Sequence, residues 1–120
     1  MTISDDVINL FTSLISEKAH LLRHFGLMNW CISTPSLLVM IQSIFSSLSL
    51  TDVPHFKLSL NSHLLNNDIV KAIYNLWEKN CNAVKIKKIN VLDVRPNCRP
   101  LYVSVLLDMA TEVYVDNMRS

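Results

Sequence analysis

Glycine is almost missing from this chain: one residue in 120, Gly26. With so few permissive backbone positions there is no glycine-rich phosphate loop of either nucleotide-binding type. Hairpin-rich all-β folds, which need glycine in their tight turns, are disfavoured. Charge is also scarce, with Asp, Glu, Lys and Arg at 18% against a usual quarter, while half of the residues are hydrophobic. That balance argues against disorder and predicts a surface patch covered by another molecule. Cysteine occurs three times, at Cys31, Cys81 and Cys98, without paired spacing, and no Asn-x-Ser/Thr sequon is present. An intracellular location, cytoplasmic or nuclear, is the expectation. Asp5 and Asp6 stand where a secretory signal would carry basic residues, so no cleavable leader is expected either.

What is present is dominated by one stretch. From Phe25 to Thr51 there is no Asp, Glu, Lys or Arg. Thr34 and Pro35 open a helix there as N-cap and first helical residue, and Leu37, Ile41, Ile44, Phe45 and Leu48 then share one face. Six serines, Gln42 and Pro35 argue against a membrane span. Asp52 and Pro54 should end the helix near Leu50. Upstream, Ser4, Asp5 and Asp6 begin another helix, which Gly26 closes as a C′ residue. Downstream, Asp68 opens a third, with Ile69, Ile73, Leu76 and Trp77 inward and Lys71, Asn75, Glu78 and Lys79 towards water. A fourth is expected from Leu101, because Ser104, Asp108, Thr111, Glu112 and Asp116 recur at helical spacing.

Two segments read as extended. His55 to Leu60 alternates polar and apolar, and Val84, Ile86, Ile89 and Val91 are β-branched, although Lys87-Lys88 interrupts their alternation. The expected fold is therefore a single domain over residues 1–120, mainly α, a helical bundle of four to five helices. A small two-stranded β-α-β element from Phe56–Leu60 and Val84–Val94 is the structural alternative. No internal repeat is visible.

No constellation of residues points to catalysis. His20 and His24 lie four apart with Glu17 one turn earlier, but that face is polar throughout and the glutamate of a His-Glu-x-x-His signature is missing. No Gly-x-Ser-x-Gly elbow poises a nucleophile. The sequence thus predicts a non-catalytic protein–protein interaction module, without metal or cofactor: an adaptor or a subunit of a larger complex, self-associating or bound to a protein partner. The Asn, Ile, Leu and Ser bias matches AT-rich coding, as in some viruses. The aromatic candidates for its interface are Trp30, Phe56, Trp77 and Tyr114. The alternative is nucleic-acid binding. Residues 57–99 hold eight Lys and Arg against Asp68, Glu78 and Asp93, a net +5, and Lys85, Lys87, Lys88, Arg95 and Arg99 cluster at the end of that stretch.

Overall fold

The computed structural model describes residues 6–7, 9–10, 13, 24–27, 32–96 and 100–117. Among these, strands and helices alternate: β1 (His24–Leu27), α1 (Thr34–Ser47), β2 (Lys57–Asn61), α2 (Asn67–Cys81), β3 (Ile86–Val94), α3 (Val103–Met109) and β4 (Ala110–Asn117). The strands form one parallel sheet in the order β1-β2-β3-β4. This is an α/β fold, and it overturns the expected helical bundle.

The ends of two expected helices account for the difference; of the first, residues 6, 7, 9, 10 and 13 are helical and the rest before β1 lies outside the described residues. Gly26, expected to close a helix, lies within β1 and is paired with Ser59. Residues 110–117, expected to form the second half of a helix, are a strand: α3 stops at Met109 and the chain continues as β4. In Glu112-Val113-Tyr114-Val115-Asp116 the polar residues fit a period of two as well as a helical one. The adjacent edge of β3 decides between the periods, because a strand there pairs its backbone and buries one side of Val113 and Val115. The β-α-β alternative is nearer the outcome, but the sheet has four strands, not two.

The two long helices form where expected. α1 takes its cap from Ser33, one residue before the expected Thr34: the Ser33 hydroxyl accepts the Ser36 backbone N–H at 3.3 Å. It buries Leu37, Met40, Ile41, Ile44 and Phe45 and ends at Ser47. α2 is capped by Asn66, whose side chain accepts the Ile69 N–H at 2.9 Å, and it buries Val70, Ile73, Trp77 and Cys81. Its outer residues Lys71, Asn75, Glu78 and Lys79 are exposed, as their spacing predicts. Gln42 and Asn80 join the two helices through paired side-chain amides, with Asn80 Nδ2 donating to Gln42 Oε1 at 2.9 Å.

Each connection between neighbouring parallel strands passes through a helix, and such crossovers share one hand. Repeating the step in one direction stacks α1, α2 and α3 in a row on one face of the sheet. The register makes the repetition explicit. His24, Lys57, Lys88 and Glu112 lie side by side, one from each strand. One row inward, Phe25, Leu58, Ile89 and Val113 are aligned, and beyond them Leu60, Val91 and Val115. These apolar rows meet the helices, and Leu58, Leu60, Ile89 and Val91 are at most 2% exposed.

At the carboxyl end of β2 the buried Asn61 organises the turn. Its Nδ2 donates to Asp93 Oδ2 at 2.7 Å while its Oδ1 accepts the His63 backbone N–H at 3.1 Å. Asp93 sits at a register irregularity between Val91 and Val94 with φ of 58°, a left-handed conformation that aspartate tolerates better than most residues. The end of α2 is more strained. Asn82 and Ala83 both have positive φ, 53° and 60°, and alanine has no side-chain hydrogen bond to offset the cost. Ala83→Gly is therefore expected to stabilise the fold by about 0.5–1 kcal/mol, read as a rise of a few degrees in thermal melting; unchanged or lowered melting would show that Ala83 is unstrained.

Candidate binding face of the sheet

A parallel sheet ordinarily buries both faces. Here no described element packs on the face opposite the helices, and the strand residues that alternation points towards it are mostly polar, apart from the buried Ile86 and Ala110 at one end and Leu92 at the other. Alternation puts two rows there: His24, Lys57, Lys88 and Glu112, and next to it Gly26, Ser59, Asn90 and Tyr114. His24, Lys57, Glu112 and Tyr114 are exposed, Lys88 and Asn90 half-buried.

These side chains are tied to one another across the strands. Asn90 Nδ2 donates to Ser59 Oγ at 3.0 Å, and Ser59 Oγ lies 2.8 Å from His24 Nε2. Ser59 accepts from Asn90, and it donates to His24 Nε2 or accepts from it according to the imidazole tautomer. The serine–histidine pair has the spacing of a nucleophile and a base. Ser59 is nevertheless only 4% exposed and its hydroxyl is engaged on both sides, so the arrangement serves to bind β1, β2 and β3 together. On the far side, the Lys88 ammonium stands 5.4 Å from the centroid of the Tyr114 ring, a cation–π contact that positions both groups.

At residue 26 a methyl group would meet its neighbours at ordinary contact distance, and a larger side chain would reach the His24 ring. A Cβ built there would lie 3.4 Å from the Ser59 Cβ and 3.8 Å from His24 Nε2. The empty position is the floor over which the histidine ring reaches Ser59.

At the amino-terminal ends of the strands the face runs into a shallow cavity of about 390 Å³ lined by His24, His55, Lys57 and Lys87. His55 comes from the 3₁₀ turn Val53–His55 that precedes β2, and the remaining three come from β1, β2 and β3. The backbone N–H of Lys87 donates to the Phe56 carbonyl at 2.9 Å, which fixes the turn against β3.

The residues singled out from the sequence are scattered by this fold. Phe56 is completely buried, and Trp77 is 3% exposed with its indole N–H donating to the Val84 carbonyl at 2.8 Å; both are core residues. Tyr114 is 54% exposed and lies on the open face. Trp30 and Arg99 lie outside the described residues, as do His20 and Glu17 of the histidine pair considered for metal binding. Lys85, Lys87 and Lys88 gather at the start of β3, whereas Arg95 follows its other end, roughly 25 Å away at the rise of an extended strand. The basic segment is thus divided, and its amino-terminal half is joined by Lys57 and two histidines. Sequence reasoning misses Lys57 and His55 as site residues and raises His24 only as a metal ligand. The alternation around Lys57 is visible there, but which strands flank it is not.

Among the described residues, no group of three or more His, Cys, Asp or Glu side chains is placed to hold a metal ion, and no helix is long and apolar enough to cross a membrane. Comparison with known proteins yields no match: no family profile, no curated protein and no solved structure resembles the chain.

Cys81 is fully buried among the core residues of α2, and burial pushes its thiol up from 9.0 to about 11. The folded state therefore keeps a proton that the unfolded chain gives up as pH rises through the ordinary thiol range. Stability should fall between about pH 9 and about pH 11, by on the order of 2 kcal/mol, in a variant whose Cys31 and Cys98 are serine. Urea titrations at successive pH values test this, and the further substitution Cys81→Ala should remove that component of the pH dependence. A second expectation concerns the face itself. Gly26→Val should displace the His24 ring from Ser59, seen as changed His24 imidazole resonances with the overall fold retained; an unperturbed imidazole would show that the empty position is not needed.

Proposed function

We propose that this protein is a non-catalytic protein-interaction module that uses the open face of its sheet to bind an acidic segment or surface of a partner protein. One observation carries the reading: among the described residues no helix packs on one face of the parallel sheet, and that face carries a tied array of cationic, amide and aromatic side chains. Solenoid proteins in which each repeat contributes a strand and a helix use extended concave surfaces in the same way. Lys57 and Lys88 supply charge, and Asn90 offers hydrogen-bonding capacity. Tyr114 provides a rigid amphipathic surface held in place by Lys88, the type of anchor that dominates binding energy at interfaces. Further support comes from the β4 end of the fold, where Leu101 is 85% and Leu107 41% exposed and where β4 is the last strand of the sheet.

The nucleic-acid alternative loses its main support, because Arg95 is separated from Lys85, Lys87 and Lys88. The two readings are distinguished by affinity purification from the native cell with three baits: the unaltered chain, a Lys88→Glu/Tyr114→Ala variant, and Arg95→Glu as a control at the far end of β3. The expected outcome is a protein partner whose recovery falls about tenfold or more with the double variant and is unchanged with Arg95→Glu. Equal recovery by the double variant, or a salt-sensitive mobility shift with DNA or RNA and no protein partner, overturns the proposal.

A further inference from the structure

The geometry points to a phosphoryl-binding site in the cavity lined by His24, His55, Lys57 and Lys87. Four elements each contribute one nitrogen-bearing side chain to a single opening of about 390 Å³, and none of these lining residues is acidic. Two lysines facing one cavity with no carboxylate among its described lining residues repel each other, and an anion between them removes that cost. The imidazoles add donors on two further sides. His24 Nε2 is engaged with Ser59, which leaves Nδ1 for a ligand, as a donor in the tautomer or the imidazolium that carries a proton there.

The donor set distinguishes one class of anion from another. A carboxylate is planar and is best held by the fork of an arginine, which none of the described lining residues supplies. A phosphoryl group is close to doubly charged at neutral pH and offers three oxygens in a tetrahedral array. Two point charges and two imidazoles converging from separate strands and a turn suit it better. The cavity is also larger than a phosphoryl group alone requires, leaving room for whatever bears it. This site goes beyond the protein-binding reading and does not depend on it, since a phosphoryl group is recognised here by chemistry that needs no polypeptide around it.

The test is titration of the full chain at constant ionic strength with inorganic phosphate, with N-acetyl-O-phosphoserine amide and with acetate, followed through the imidazole C–H resonances. Saturable shifts of His24 and His55 with either phosphoryl compound, no matching shift of His63, and little response to acetate are expected. Tighter binding of the phosphoserine derivative would assign the site to an esterified phosphoryl group, and tighter binding of phosphate to the free ion. Lys57→Gln/Lys87→Gln should weaken the affinity about tenfold or more, as loss of charged hydrogen-bond donors implies. Arg95→Gln, beyond the far end of β3, should leave it unchanged. Shifts that never saturate, acetate as effective as phosphate, or a saturating response confined to other residues would overturn the assignment. The titration of the unsubstituted chain decides the matter even where the lysine variants fold poorly.

Discussion

Strand register is the constraint on which everything else in this protein rests. Side chains on a strand alternate between faces, so aligning Phe25, Leu58, Ile89 and Val113 under the helices also aligns His24, Lys57, Lys88 and Glu112 on the other side. A slip by a single position in β2 or β3 would bury lysine beneath the helices and expose leucine or isoleucine. The apolar rows hold the register firmly, since Leu58 and Ile89 are each 1% exposed. The composition of the open face is in this sense fixed by the core behind it.

Polar contacts then refine what burial has set. Ser59 is buried on the open side, and an unsatisfied hydroxyl there would be costly; Asn90 and His24 satisfy it from the two neighbouring strands. Asn61 does the same at the carboxyl end of β2, where it couples Asp93 to the following 3₁₀ turn. Every bond in these two groups either joins strands that are distant in the chain or closes a local turn. They lock register without adding apolar surface, and they leave Lys57 and Tyr114 free to face outward.

The long helices are legible in the sequence and most of the sheet is not, for physical reasons that particular residues show. α1 and α2 carry a helical pattern within themselves, so their buried positions report local structure directly, although the caps, Ser33 and Asn66, lie one and two residues before the expected Thr34 and Asp68. β1 and β4 have no such independence. His24-Phe25-Gly26-Leu27 is too short to display a period, and residues 110–117 satisfy both periods at once, so each becomes a strand only because a neighbour offers a paired edge. The candidate site suffers the same loss. Tyr114 and the lysines at the start of β3 can be found by residue type, but the same criterion selects Phe56 and Trp77, which fill the core. His24 and Lys57 join Lys87 and Lys88 only through pairing between segments far apart in the chain, which a reading of one segment at a time does not reveal. The repeat itself is hidden for a related reason. The sequence separations from His24 to Lys57, Lys57 to Lys88 and Lys88 to Glu112 are unequal, and the shared feature is register rather than a common motif.

The distribution of charge gives the open face a direction. The chain as a whole is nearly neutral, at +1, so its overall field does little to select a partner. At physiological salt, charges influence one another over only about 8 Å, and strands about 4.8 Å apart fall within that range. A partner group lying over β2 and β3 therefore meets Lys57 and Lys88, while one displaced by a single strand meets Glu112 on β4. An acidic group seated over the lysines is attracted, and the same group moved towards β4 is repelled. Tyr114, held beneath Lys88 one row further along, marks the boundary with an apolar contact that is indifferent to sign. On the proposed reading, a partner would therefore lie with its negative end towards β1 and its neutral or basic end towards β4. That polarity follows from nothing more than the order in which four polar residues are brought side by side by the burial of their apolar neighbours.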